Sequence, residues 1–301
     1  MHMGRWWGIK PWAMLLLSVG LPIAPTFAAQ PADLPPDQLV RQTVANEVKA
    51  GDTSRHFMFR NRKESPAGSQ TRLLVQTSQA MARLIIANND RPLSPEERKI
   101  EEQRLIFLAS NPEELKRKQQ KEREDADRVT RIVRALPDAF LYEYQGKEAG
   151  RAGVGKNGDE LVRLKFRPNP KYNPPTRVEQ VLTGMMGTLL IDANSRRIAN
   201  IDGTLFKDVS FGWGILGHLD KGGQFEVDQG EVGGDAYEVT RMRLNFTGKL
   251  LLFKGIVIKF TEVYSNFQPV PSNLTFAQAI ELLKQQETAF AKGSSAPNSK
   301  Q

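Results

Sequence analysis

The sequence predicts an α+β protein. Its centre is a strongly curved antiparallel β-sheet, a half-open barrel, with helices packed on the concave side and a charged helical hairpin inserted. Two observations point there. After Ala139 the chain is a succession of apolar runs in β-prone sequence, joined by short turn signals, and connections that short make antiparallel hairpins, not parallel crossovers. Before Ala139, helix-start signatures stand at Ser94 and Asn111, and another follows at Thr275.

The first 28 residues read as an address. Arg5 and Lys10 form a basic opening, an apolar run extends from Trp12 to Ala24, and small residues follow at Thr26-Phe27-Ala28-Ala29. That order is a Sec-type signal peptide, with cleavage expected after Ala28. Gly20, Pro22 and Pro25 interrupt the run, which is too short to span a bilayer as a stable helix. The expected location is the periplasm or the exterior. Residues 29–292 then form one β-rich domain, and 293–301 a polar, disordered tail.

Residues 29–36 are a lead-in. A first helix is expected over about 37–50, with Leu39, Val40, Val44 and Val48 on one face. Three strands follow: Arg55–Arg62, Arg72–Thr77 and Ala80–Ala87. Ser94-Pro95-Glu96-Glu97 then sets an N-cap serine, a proline at the first helical position and a returning glutamate. Asn111-Pro112-Glu113-Glu114 repeats the scheme with asparagine as cap, and Pro137 is expected to end the second helix. The stretch Lys116–Arg128 is almost wholly charged, with acid-first pairs such as Glu114/Lys118 and Glu124/Arg128. A solvated helix across the domain is the simplest reading of this hairpin (Ser94–Leu136).

The later strands are expected at Phe140–Gln145, Glu160–Arg167, Gly187–Asp192, Arg197–Phe206, Asp208–Phe211, Gln224–Glu231, Tyr237–Thr247 and Lys249–Phe267. Ala193-Asn194-Ser195, Gly233-Gly234-Asp235 and Gly248-Lys249 supply turns. The run Phe166–Pro175 interleaves prolines with aromatic and basic side chains, and is expected to cross a sheet edge and block strand addition. Thr275-Phe276-Ala277-Gln278 opens a final helix.

Composition excludes much. There is no cysteine, hence no disulfide, no thiolate metal site and no lipid-modified N-terminal cysteine. The net charge of +8 falls to +6 without the signal, and its charges are spread and sign-mixed, which points to solubility and away from nucleic acid. No second apolar stretch is long enough for a transmembrane helix. His56 and His218 have no metal-ligand spacing, and neither a metal nor a cofactor is expected. No Gly-x-Ser-x-Gly elbow is present. His218 near Asp220, and Asp192 with Asp202, read as turn residues and not as catalytic pairs.

Gly212-Trp213-Gly214-Ile215-Leu216-Gly217 matches G-x-G-x-x-G in letters. The motif needs a long helix after it, and Asp220-Lys221-Gly222-Gly223 breaks any helix there. The bland reading is a glycine-rich loop plugging the barrel end. The functional one makes Phe211, Trp213, Ile215, Leu216 and Leu219 the mouth of an apolar cavity, and these five are the candidate ligand-binding residues.

The hairpin Met186–Gly203, with Gly187-Thr188-Leu189-Leu190-Ile191-Asp192 in the form G-x-L-x-I-D, resembles that of the lipoprotein-localisation (LolA/LolB-like) proteins. The chain also resembles a group of uncharacterised secreted bacterial proteins that share the segment Phe211–Gly223. The first resemblance implies a half-open barrel with a helical lid over an apolar cavity, hence a lipid or acyl ligand. The leading expectation is a non-catalytic cell-envelope binding protein for a lipid or lipoprotein. One alternative is an interaction or regulatory module that meets an envelope protein partner through the charged hairpin. The other is a hydrolase, which needs His218 or His56 beside a serine and a carboxylate.

Overall fold

The structure, a computed structural model, describes residues 34–53, 55–211, 217–250 and 254–294. The expected signal peptide and the stretch 295–301 of the expected tail lie outside the described residues; Gly293 and Ser294 belong to the last helix.

Along the chain come α1 (Pro36–Thr53), β1 (His56–Ser65), β2 (Gly68–Val75), β3 (Ala82–Asn88), β4 (Arg91–Pro92), α2 (Pro95–Ser110), α3 (Pro112–Ala139), β5 (Phe140–Ala149) and β6 (Glu160–Pro168). A short α4 (Arg177–Gln180) and a 3-10 turn (Val181–Gly184) lead to β7 (Met185–Asp192), β8 (Ile198–Leu205), β9 (Val209–Phe211), β10 (Gly217–Leu219), β11 (Gln224–Gly233), β12 (Ala236–Leu250), β13 (Lys254–Val270) and α5 (Phe276–Ser294). The strands form one curved, open sheet in the order β4-β3-β2-β1-β13-β12-β11-β8-β7-β6-β5, with the β9–β10 hairpin attached to β12. The α+β class read from the sequence is therefore the class observed.

Two faces follow from the register. Residues directly opposite in paired strands share a face, so Tyr264, Glu262, Met242, Val227, Ile201, Leu189 and Leu164 lie on one face. At its β5–β8 end this face, here called inner, carries α1 and the end of α3. Leu39, Val40, Val44 and Leu136 pack there on Leu164, Phe166, Leu189 and Ile191. At its other end Phe57 and Phe59 pack with Leu74, Tyr264 and Phe267. The helices are shared between the faces. On β1–β3 the alternate residues Met58, Leu73, Val75 and Leu84 point to the outer face, where Leu105 of α2 and Phe276, Ile280 and Leu283 of α5 cover them. The helix α3, roughly 40 Å long, joins the two layers: Leu115 packs on the outer core and Leu136 on the inner one.

Several local expectations change. Asn111 does not cap α3. It is the only residue between α2 and α3, and its side-chain amide donates back to the Phe107 carbonyl at 2.7 Å, closing α2 instead. Pro137 does not end α3, which runs two residues further to Ala139. A proline in the last turn forfeits one hydrogen bond where few remain to be made. Lys118 pairs forward with Glu122 and not back with Glu114. Gly248 is no turn residue: it lies within β12, where a Cβ would stand 2.1 Å from the His218 carbonyl oxygen, so the glycine permits β10 to approach. The proline run does not guard an edge either. β6 is flanked by β5 and β7, and Asn169 folds the run under the end of α3 through hydrogen bonds to Ala139 and Asp138 carbonyls at 2.8 and 2.9 Å.

Candidate functional site

At one end of the sheet six segments converge around a cleft of about 500 Å3. The last turns of α1 bring Glu47 and Gly51, the start of β1 brings Arg55, and the end of β2 leads into Gln76. Val129 of α3 lies over them, Arg197 comes from the β7–β8 turn, and the β11–β12 hairpin adds Gly234 to Val239.

Local sequence chemistry builds this end. Asp192 closes β7 as a turn residue: its Oδ1 accepts the backbone amides of Asn194 and Ser195, both at 2.9 Å, and Arg196 takes φ +52°. Its Oδ2 accepts the Tyr237 hydroxyl at 2.5 Å, which ties the turn to β12. Burial opposes ionisation of Asp192, but the hydrogen bonds from Tyr237, Ser195 and Asn194 outweigh it and hold the carboxyl below its ordinary value. The same turn aims Arg197 at α1. Its Nε and an Nη atom meet the two oxygens of Glu47 at 2.9 Å each, and the Ile198 amide donates to Glu47 at 2.7 Å. Both side chains are largely buried, at 14% and 11% exposure, so this is a desolvated bidentate pair. The guanidinium also lies 5.3 Å from the centre of the Tyr237 ring.

Glu238 is different. Burial pushes its carboxyl up to about 7, and the Arg197 charge pulls it back only in part. The cleft therefore couples a neutralised ion pair to an acid that changes charge near neutral pH. The cleft is thus lined by charged and hydrogen-bonding side chains, and its described lining includes no serine, threonine, cysteine or histidine.

The sequence-predicted site lies elsewhere. Phe211 and Leu219 are half-buried in a cluster with Leu205, Val209 and Phe246. Gly217 pairs with Phe211 across the β9–β10 hairpin. Trp213, Ile215 and Leu216 lie outside the described residues. The hairpin joins β12 at Gly248–Leu250, about 40 Å along that strand from Tyr237. The structure thus brings Phe211 and Leu219 together, and puts them at the opposite end of the sheet from the cleft.

His218 does meet Asp220, Nε2 to Oδ1 at 3.1 Å, while the Thr247 hydroxyl donates to Asp220 at 2.6 Å. A relay needs the imidazole between hydroxyl and carboxylate; here the carboxylate stands in the middle. Asp202 is an exposed β8 residue, paired with Thr188 and away from Asp192. Among the described residues no group of three or more His, Asp or Glu side chains is placed to hold a metal.

The cleft was not legible in the sequence. Glu47, Arg197 and Glu238 are ordinary surface-type residues by their neighbours, and only the β7–β8 turn signal hinted at a fixed geometry there.

No protein-family model and no curated protein matches the chain. Among solved structures it is similar to a DUF1329 family protein from Desulfovibrio piger ATCC 29098, at 10% identity and a TM-score of 0.27, over 81% of this chain and 98% of that one. It is also similar to MucB, solved in complex with MucA(peri), at 10% identity and a TM-score of 0.20, over 77% and 99% of the two chains. At TM-scores this low neither likeness bears on function.

Proposed function

We propose that the protein is a non-catalytic binding protein of the cell envelope, delivered by the Sec-type signal at its N-terminus, whose half-barrel holds a lipid or acyl ligand along the inner face. The observation that carries this reading is the strip in the middle of that face. Val227, Met242, Leu244, Phe225 and Phe260 are apolar and only half-buried, between the α1 layer on one flank and the Phe57–Phe59 cluster on the other. Lys63, Glu262, Tyr264 and Asn61 supply an internally compensated polar group beside the strip. Opposed burial of Glu262 is overcome by the Tyr264 hydrogen bond and Lys63, so the carboxyl stays below its ordinary value. An acyl chain on the strip covers apolar surface at about 25 cal/mol per Å2.

The test is native mass spectrometry of protein purified from the envelope fraction, followed by lipid extraction. One acyl species per chain, lost in a Met242→Glu variant that stays folded, is the expected result. A clean ligand-free mass for the native protein defeats the reading.

A second reading is an interaction module. Ile100 and Phe107 on α2 are 66% and 53% exposed, an apolar stripe on the hairpin that neither core uses.

A further inference from the structure

Among the described residues, besides the three-residue β9, three free edges of the sheet stand out, and two are blunted. β4 is two residues long and includes Pro92. β5 is broken by a register shift between Tyr144 and Gly146, where Gly146 takes φ +115°. Short strands, prolines and bulges are the devices that stop an edge from adding a further strand.

The third edge has none of them. β1 turns away after Ser65, so its pairing with β13 reaches only Thr261. Residues Lys254–Phe260 of β13 pair with β12 on one side and leave the other backbone edge open. The β12–β13 ladder is regular here: Arg241–Leu250 faces Val263–Lys254 without a register shift. Val257 is 71% exposed and Ile258 38%.

Charge says what fits. Lys249 and Lys259 are exposed on the outer face of this hairpin and Lys254 stands at its start, and none of the three has an ion-pair partner among the described residues. The stretch Lys249–Phe260 contains no acid. Ile256, Ile258 and Phe260 continue the apolar inner face. We propose that this edge takes up an extended peptide segment of alternating acidic and apolar residues as an additional strand. The backbone ladder supplies the affinity, and the lysines choose the charge. A second copy of this chain fits less well. Pairing about Val257 would set Lys254 opposite Phe260 and Lys259 opposite Gly255, so the four lysines would share one ladder that offers none of them an opposite charge.

Fluorescence anisotropy with the full chain and a labelled synthetic peptide of alternating glutamate and valine tests this, with a lysine–valine peptide as counterpart. The glutamate peptide binds, more weakly as salt is added, and the lysine peptide does not. Lys254→Glu with Lys259→Glu weakens the glutamate peptide by about tenfold and admits the lysine peptide. Both positions are exposed, so the fold survives, which circular dichroism checks; Lys259→Gln alone gives the same direction with less perturbation. Equal binding of the two peptides, or none of the glutamate peptide, overturns the proposal. So does a concentration-dependent dimer in light scattering that Val257→Pro dissolves, because the edge then belongs to a second copy.

Discussion

Glu238 shows how one residue acquires a property its neighbours in sequence do not foretell. A glutamate in Tyr237-Glu238-Val239 looks like the solvated position of an alternating strand. In the fold it is half-buried beside the Arg197–Glu47 pair, and burial lifts its carboxyl to about 7. The folded state therefore favours the proton-bound form. The stability this contributes is complete below the ordinary glutamate value and is lost as pH rises toward 7. A Glu238→Gln variant should match the native protein in melting temperature at pH 4 and exceed it by about 2–4 °C at pH 8. Parallel curves across that range, followed by circular dichroism, mean that Glu238 is not held away from water. Two glycines make the complementary point about shape. A Cβ on Gly187 would stand 2.0 Å from the Asp202 carbonyl oxygen, and one on Gly203 2.5 Å from the Phe225 ring. The G-x-L-x-I-D pattern is thus, in this chain, a packing requirement of the β7–β8 hairpin, which seats an inner-face phenylalanine.

At the scale of elements, local chemistry decides starts better than ends. The Ser94 capping box is present as written: the Glu97 amide donates to Ser94 Oγ at 3.2 Å, and the Ser94 amide to Glu97 Oε2 at 2.8 Å. Thr275 and Gln278 form the same reciprocal pair, at 3.3 and 3.0 Å. Ser94→Ala should cost about 1 kcal/mol, read as a shift of the urea midpoint with an unchanged slope. A loss under a few tenths means that Pro95 and the outer-core packing of Leu105 hold α2 without the cap. Asn111 shows why the same motif does not cap the next helix. One residue serves two helix ends, and its side chain can satisfy only one; the orphan carbonyl of α2 takes it. Strand ends escape local patterns for a related reason. Gly248-Lys249 looks like a turn by composition, yet the glycine is there for a neighbouring strand that the local sequence does not reveal.

In the whole molecule, α2 and α3 are not an appendage. Leu105 and Leu115 belong to the outer core and Leu136 to the inner one, so excising Ser94–Leu136 removes parts of both. The interaction reading is better tested by Ile100→Ser with Phe107→Ser. Exposed sites of this kind change stability little, so the melting temperature should stay within a degree or two while cross-linking to an envelope partner disappears. Cross-linking that persists removes α2 as the contact. No helix among the described residues is long and apolar enough to cross a membrane.

Taken by itself, the sequence determined the α+β class, the antiparallel connectivity and the helix starts. Each depends on residues close together in the chain: a turn between two runs, a cap three residues from its partner. The tertiary structure alone decided the rest. Which face each helix covers depends on the register of strands carried through the whole sheet. The cleft exists because Glu47, Arg197 and Glu238 meet from three distant segments, and the open edge of β13 exists because β1 turns away at Ser65. Burial, and the proton affinity and exposure that follow from it, are properties of what surrounds a residue, and those surroundings come from parts of the chain that local patterns cannot bring together.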